Sequence, residues 1–367
     1  MSSPVKEPLF HVMKRDNAGF LRGMAVRLIA IVAALIVCAV IIVLLTGMNP
    51  LSVYAALWDG AVGTSRRMWI TLRDSAILLC IGFAVMPAFR MRFWNTGAEG
   101  QVLVGALATA AVMIYGKNLP SWQLYLFCPL ASIAAGIVWG VIPAFFKARW
   151  NTNETLFTLM LNYIATQLVA FCIIFWETPK GSNSVGLINA KGKIGWLPNI
   201  GKNGYILPIL IVLSLAVILY VYMRYTKQGY EISVVGESEN TAYYAGINVR
   251  KVIVRTMAIC GAIAGIAGYL LTSGVGHTIS TGLAGGRGFT AIVVAWLGKL
   301  NPFSMMLVAF GLVFMEKGSI EIASKFQLNE NASEILTGVI LFFILGCEFF
   351  INYRLEFRKH EKEAVKA

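Results

Sequence analysis

The chain has 367 residues, of which 57% are hydrophobic and only 13% are charged, whereas soluble domains carry about 25% charged residues. A mean hydropathy of +0.70 and apolar runs such as residues 28–45 exclude an ordinary soluble protein, because such a run can cross a hydrocarbon layer of about 30 Å. The formal net charge of +13 does not indicate nucleic-acid binding, because Lys and Arg concentrate in alternate loops between apolar runs.

The apolar runs predict an all-α integral membrane protein with about ten transmembrane helices, some of them short or broken. We expect a single transmembrane domain over residues 1–367, without a soluble domain or a fixed-period repeat. The bias of Lys and Arg predicts cytoplasmic termini, with tails at 1–23 and 353–367 and a long cytoplasmic loop at 224–250. The predicted helices are 24–46, 67–90, 99–115, 121–146, 153–177, 205–223, 251–273, 286–298, 303–323 and 334–352, with an interfacial helix near 53–58.

The chain lacks sequence patterns of catalysis or cofactor binding. Its six cysteines show no CxxC spacing and its three histidines are scattered, so we expect neither a metal site nor disulfides. No helix-borne HExxH and no G-x-x-x-x-G-K-[ST] phosphate loop occurs. We therefore expect no catalytic residue and no cofactor in this chain. If ATP drives its function, ATP must bind another subunit.

The segment 95–101, Asn-Thr-Gly-Ala-Glu-Gly-Gln, is the first candidate site. Together with the preceding Pro and two Arg it interrupts the apolar pattern, as broken helices at transporter substrate sites do. Thr96 and Glu99 also have the spacing of a capping box. Two compatible interpretations follow: a helix cap, and a substrate pathway to which Asn95, Glu99 and Gln101 contribute.

A polar stripe on the predicted fifth helix is the second candidate. Thr158, Asn162 and Thr166 are four residues apart and share one helix face. Because hydroxyls and amides are costly against lipid, this face should point into the bundle. It is either a pathway lining suited to a neutral, hydroxyl-rich solute or an interhelical hydrogen-bond seam. The Gly-rich stretch 282–289 is similarly irregular and adds Phe289 to the pathway candidates.

The loop 226–251 is the third candidate. We expect Gly229 and Gly236 to break it, residues 237–244 to form a short helix, and Gly246 with Asn248 to end that helix as a C-cap. A short capped helix between two membrane spans favours docking to a cytoplasmic partner. The candidate docking residues are Gly229, Glu237, Glu239, Tyr243, Tyr244, Gly246 and Asn248.

Small residues punctuate the predicted seventh helix. Gly261 and Gly265 form a GxxxG pair, which predicts close packing against another helix. His277 follows in the next connection and is interpreted as a loop residue rather than a ligand contact.

Four segments occur in an order that resembles a known family. They are NTGAEGQ (95–101), IPAFFKARWNTNETL (142–156) leading into LMLNYIATQ (159–167), GYEISVVGESENTAYYAGINVRKV (229–252) and GFTAIVVAWLGKLNP (288–302). In this order they resemble the permeases of bacterial ATP-binding-cassette (ABC) importers of the ribose and branched-chain amino acid group, especially the nucleoside-type members. The resemblance covers roughly residues 67–350.

The resemblance implies a permease subunit in the bacterial cytoplasmic (inner) membrane that imports nucleosides or similar small polar solutes by alternating access. It implies three partners: a second, related but non-identical permease chain, a cytoplasmic ATPase that binds ATP and Mg, and an extracellular substrate-binding lipoprotein. The loop 229–248 would be the coupling element. The alternative is an ion-coupled secondary transporter, which would need midplane ion sites and usually inverted repeats. A membrane enzyme is a weaker alternative.

Overall fold

The structure is a computed structural model that describes residues 10–14, 20–47, 49–201, 203–327 and 353–357, with a few further positions between 335 and 349. Its helices are α1 (Phe20–Thr46), α2 (Pro50–Val62), α3 (Ser65–Arg90), α4 (Ala98–Tyr115), α5 (Ser121–Trp150), α6 (Glu154–Trp176), α7 (Ile206–Tyr225), α8 (Lys227–Glu237), α9 (Glu239–Tyr244), α10 (Val249–Tyr269), a π-helix (Leu270–Gly276), α11 (Arg287–Leu297) and α12 (Pro302–Phe326).

Among the described residues, seven helices are long and apolar enough to cross a membrane: α3, α4, α5, α6, α7, α12, and α10 together with the π-helix. Residues 32–44 of α1 and all of α11 are shorter apolar helices. The predicted class, an all-α integral membrane protein with short helices, is confirmed. The count of ten stays a prediction, because most of the predicted helix 334–352 lies outside the described residues.

The chain divides into two compact units, Met1–Gly63 with Met315–Ala367, and Thr64–Phe314. The boundary falls inside α12, and the expectation of a single domain over 1–367 stays a prediction.

In the first unit, α1 and α2 pack with the last part of α12. Ala34, Cys38 and Ile42 of α1 join Val53, Ala56 and Ile322 in one apolar cluster. The predicted interfacial helix is α2, which begins after Asn49 caps the Leu51 N–H at 3.0 Å. The backbones of β1 (Phe10–Lys14) and β2 (Tyr353–Phe357) pair antiparallel, so the two predicted tails contain a strand pair.

In the second unit, α3 is the central helix, and 89% of its most apolar 18-residue stretch is buried. Helix α10 packs against α3, α4 and α5, whereas α5, α6 and α7 expose many large apolar side chains. The outer helices therefore present an apolar surface suited to lipid, while α3 forms the interior.

Glycines allow α5 and α10 to pack backbone to backbone. A Cβ on Gly261 would collide with the Gly136 carbonyl oxygen, and one on Gly265 with the Ser132 carbonyl oxygen. The Ser132 hydroxyl lies 2.9 Å from the Gly105 carbonyl oxygen and 2.5 Å from that of Gly265, so it links α4, α5 and α10. The close packing predicted from the GxxxG pair is confirmed.

Candidate functional site

The first candidate segment is an irregular break between α3 and α4. Asn95 is completely buried, and its Oδ1 accepts from the Gly97 N–H at 3.1 Å. Its amide group lies 3.4–3.5 Å from the side-chain amide of Gln101, which is 1% exposed. The two residues satisfy each other and the turn backbone, as irregular chain at membrane depth requires.

Helix α6 satisfies the rest of the break. The Asn162 Nδ2 donates to the Thr96 carbonyl oxygen at 2.9 Å, and its Oδ1 accepts from the Gly100 N–H at 2.8 Å. The Thr158 hydroxyl lies 3.0 Å from the Thr96 hydroxyl and accepts from the Thr96 N–H at 3.3 Å. Thr166 instead donates to the carbonyl of Asn162 on its own helix at 3.0 Å. The stripe thus forms an interhelical seam at Thr158 and Asn162, and its pathway role stays a prediction.

The capping-box interpretation is wrong. Helix α4 begins after Gly97, and no side chain caps it at that position. The Thr96 hydroxyl donates to the Thr155 carbonyl at 3.1 Å, because α6 lies close enough to compete for it. The Glu99 carboxylate also bonds elsewhere.

Glu99 binds the start of α11. Its Oε1 accepts from the Gly286 N–H at 2.8 Å and its Oε2 from the Gly288 N–H at 2.6 Å. These amides lie at the N-terminus of a helix, where they lack helical partners and where the helix dipole favours a negative charge. Gly288 approaches so closely that a Cβ there would lie 2.5 Å from the Glu99 nitrogen. We refer to this pair of bonds as the Glu99 clamp.

The Glu99 clamp lies near the middle of the bundle's depth. A Cβ on Gly140 would meet the Cα of Gly261 at 3.2 Å and the Nε2 of Gln101 at 3.4 Å, so these residues share one level. Gly261 is close to the midpoint of the 28-residue span Val249–Gly276, about 18 Å from the start of an element about 42 Å long. Glu99 is only two residues from Gln101. The chain after 276 therefore turns back into the bundle, and α11, about 16 Å long, begins there.

Polar backbone is exposed along this re-entrant stretch. Phe289 is 46% exposed beside the Glu99 clamp. The exposed residues of the preceding loop are Ser280, Thr281, Gly282, Gly285 and Gly286. Lipid cannot satisfy irregular backbone at this depth. This surface therefore requires water or another protein chain against it.

The third candidate is two short helices, α8 and α9. Both glycines expected to break the loop lie inside α8, so that expectation is wrong. A Cβ on Gly229 would lie 2.5 Å from the carbonyl oxygens of Tyr222 and Met223, and one on Gly236 would collide with that of Arg90. These glycines permit close backbone contact rather than chain breaks.

Helix α9 forms with the caps expected of a short independent helix. The Ser238 side chain accepts from the Thr241 N–H at 3.2 Å. Gly246 adopts φ +72, and the Ile247 N–H donates to the Ala242 carbonyl at 2.9 Å, which is a Schellman ending. The C-cap predicted at Gly246 is confirmed. Asn248 does not end α9; it caps α10 by accepting from the Lys251 N–H at 3.1 Å.

One face of α8 and α9 is attached to the bundle. Ala242 is buried in an apolar cluster with Met91 and Phe93, which follow α3, and with Val252 and other residues of α10. Arg90 donates to the Ser233 hydroxyl at 3.1 Å. The Glu231–Arg255 ion pair, at 2.8 Å, joins α8 to α10.

The opposite face of α8 and α9 is open. Tyr243 is 57% exposed and Tyr244 93%. Glu237 and Glu239 are also exposed, at a cleft that they share with Arg92. A force applied to this face would therefore act on α3 and α10, the helices to which α8 and α9 are attached.

His277 belongs to the structure at the other end of α10. It follows the π-helix with φ 50, and its ring stacks on Trp196 at 3.7 Å. Its carbonyl accepts from the Ile188 N–H at 2.8 Å. Burial lowers the pKa of His277, and the nearby cations Arg73 and Lys193 lower it further. The interpretation of His277 as a loop residue agrees with this packing.

Comparison with known proteins agrees with this architecture. Residues 67–345 match the family described as the permease component of the branched-chain amino acid transport system. The chain belongs to this family. The matched range contains the α3–α4 break, the α6 seam, α8, α9 and α11, and the permease is accordingly a multi-pass membrane subunit of an ABC transporter.

Three relatives show the range of the family. The permease is 33% identical to the guanosine ABC transporter permease protein NupP of Bacillus subtilis, over 88% of this chain and 93% of NupP. It is 28% identical to the glucose ABC transporter permease protein TsgB13 of Haloferax volcanii, over 89% and 88% of the two chains. It is 26% identical to a second guanosine permease protein of B. subtilis, NupQ, over 68% and 80%.

Two contacts of the permease were not predicted from its sequence. The pairing of Glu99 with α11 joins residues 187 and 189 positions apart, and no local pattern indicates such a contact. The second is the contact between α5 and α10. The sequence does contain a signal for it, because Gly136 and Gly140 of α5 form a second GxxxG pair that faces Gly261. That pair, like the one in α10, indicates close packing against another helix, and the structure shows that the two pairs meet.

Proposed function

We propose that this permease imports a nucleoside or a similar small polar solute across the bacterial inner membrane, together with a second, related permease chain. The solute class is supported by the relatives, one named for guanosine and one for glucose. It is also supported by the polar groups of the candidate pathway, which are mainly neutral hydroxyls and amides. The second chain is supported by the similarity to two guanosine permease proteins of one bacterium.

The exposed face of α8 and α9 carries the proposal. In the proposed mechanism a cytoplasmic ATPase, which binds ATP and Mg, docks on Glu237, Glu239, Tyr243 and Tyr244, while Gly229, Gly246 and Asn248 shape the segment. In this mechanism α8, α9 and both termini would lie in the cytoplasm. An extracellular lipoprotein would deliver the solute at the opposite side.

The motion would pass to α3 and α10 through the buried contacts of Ala242 on α9 and through the hydrogen bond from Arg90 to Ser233 on α8. Rocking of these helices would alternate access to a pathway next to the re-entrant chain. Phe289 would face solute directly, because it is exposed. Asn95, Gln101, Thr158, Asn162 and Thr166 would contribute where the α3–α4 break opens during the cycle. Glu99 would hold α11 at the pathway.

Uptake of radiolabelled guanosine into proteoliposomes tests this function. The permease, its second chain, the ATPase and the lipoprotein are reconstituted together, with ATP supplied on the ATPase side. We expect uptake that requires both ATP and the ATPase. Uptake by the permease alone under a proton or sodium gradient would instead identify an ion-coupled secondary transporter and refute the proposal.

A further inference from the structure

Three aromatic rings meet where the α3–α4 break passes the end of α11. The ring centroids of Trp94 and Trp296 are 5.7 Å apart, with an interplanar angle of 27°. Both rings lie on Phe89, at 5.6 and 6.0 Å. Phe89 is 6% exposed, whereas Trp94 and Trp296 are 47% and 50% exposed. A buried ring thus fixes two others that each leave about half of their surface open.

The open rings continue along α11. Phe289 and Trp296 are seven residues apart, two helical turns, so they lie on the same face of α11 about 10 Å from each other. Phe289 is 46% exposed and lies next to the Glu99 clamp. An aromatic track, defined as Phe289, Trp296 and Trp94, therefore runs from the middle of the bundle to the level of the α3–α4 break.

The surroundings of the track differ from those of an aromatic residue that anchors a helix in lipid. Trp94 lies in irregular chain between exposed Arg92, at φ 59, and buried Asn95. Phe289 follows the loop 280–286, in which five of the seven residues are exposed. Irregular backbone of this kind faces water or protein at membrane depth. Trp150, in contrast, packs with Phe145 and Phe146 at the end of the regular helix α5, as an interfacial anchor would.

We infer that the aromatic track binds the planar ring of the solute by stacking, so that the permease prefers solutes with a flat heteroaromatic ring over sugars without one. This inference rests on the proposed function and deepens it. Aromatic side chains bind bases by stacking in a way that tolerates changes in the base. A row of such aromatic rings suits a transporter, because the ring of the solute must be bound and then released at each of them.

The test uses the reconstituted complex and three leucine variants. Trp296→Leu and Trp94→Leu remove flat rings and keep apolar volume, and Trp150→Leu is the matched control for loss of an exposed tryptophan. The KM for guanosine uptake is measured for each variant, with D-ribose, which lacks a planar ring, as the comparison solute. Recovery of the assembled complex and its basal ATP hydrolysis are measured in parallel.

We expect the KM for guanosine to rise about 5- to 150-fold in the two track variants, the range that corresponds to loss of one stacking ring. D-Ribose uptake should not change, Trp150→Leu should behave as the unaltered protein, and Trp296→Phe should restore most of the affinity. Unchanged guanosine uptake in both track variants would overturn the inference. An equal rise of the KM for guanosine in Trp150→Leu would overturn the inference in favour of a lipid-anchoring role for these tryptophans.

Loss of complex assembly in both track variants would overturn the inference in favour of an interface with the second permease. If only one of them assembles poorly, the other and Trp296→Phe provide the same comparison. Failure of the proposed function is recognised separately, because the unaltered complex would then show no ATP-dependent uptake. ATP-dependent uptake of D-ribose with none of guanosine would leave the importer in place and refute only the role of the track.

Discussion

Replacing Asn162 by alanine should destabilise the permease. Asn162 is 6% exposed and makes two bonds to the α3–α4 break, at 2.8 and 2.9 Å. The alanine variant leaves the Gly100 N–H and the Thr96 carbonyl without these partners. A buried group left unpaired costs about 1–3 kcal/mol, and Thr96 is only partly buried. We therefore expect a loss of about 2–4 kcal/mol, the lower half of the additive range of about 2–6 kcal/mol for two groups.

Thermal unfolding of the purified permease in detergent measures this loss. For a large domain, about 2–4 °C of Tm corresponds to 1 kcal/mol, so Asn162→Ala should lower Tm by about 4–16 °C. Asn162→Asp keeps an acceptor for the Gly100 N–H and loses the donor to Thr96. Its Tm should therefore lie between those of Asn162→Ala and the unaltered protein. Gln167→Ala is the control, because Gln167 is exposed on the same helix and its loss should leave Tm unchanged.

Asn162→Ala with an unchanged Tm would refute the assignment of this residue to the seam. If such a stable variant also lost solute uptake, the pathway interpretation of Asn162 would be favoured. The two interpretations of the α6 stripe thus predict different results in the same pair of measurements.

Three further substitutions test other parts of the structure. Glu99→Gln removes the charge from the Glu99 clamp, and we expect it to cost about 1–2 kcal/mol of stability and to slow uptake. Glu239→Gln, at an exposed residue of α9, should leave Tm unchanged. Equal Tm values for the two variants would contradict the clamp. Gly261→Leu should abolish recovery of folded protein, because its side chain would meet the Gly136 backbone, and normal recovery would contradict the close α5–α10 contact. Because burial lowers the pKa of His277, its contribution to stability should be complete above about pH 6.5 and should fall as acid protonates the ring. His277→Phe should remove this part of the pH dependence of Tm, and an unchanged pH profile of Tm would refute the role of His277.

Helix positions could be predicted from the sequence because apolar length alone determines which segments can cross a bilayer. The predicted helix 99–115 is α4 (Ala98–Tyr115), and the predicted helix 205–223 is α7 (Ile206–Tyr225). The end of α9 was also predictable, because Gly246 adopts a left-handed backbone conformation that favours glycine.

The tertiary roles of single residues could not be predicted in the same way. Gly229 looks like a chain break in sequence and is a close backbone contact in the structure, and only the packing of α8 on α7 distinguishes the two. Thr96 has the spacing of a capping box, but α6 provides another partner for its hydroxyl. The Glu99 clamp depends on chain that returns into the bundle nearly 190 residues later, which no local pattern encodes.

Labelling of Tyr244→Cys with a membrane-impermeant maleimide tests the central claim most directly, namely that a separate ATPase drives this permease through the open face of α9. Four of the five described native cysteines are buried, and a variant without the introduced cysteine corrects for background labelling. We predict labelling in inverted membrane vesicles and not in intact cells, with protection when the ATPase is bound. Labelling in intact cells, or equal labelling in vesicles with and without the ATPase, would contradict this account.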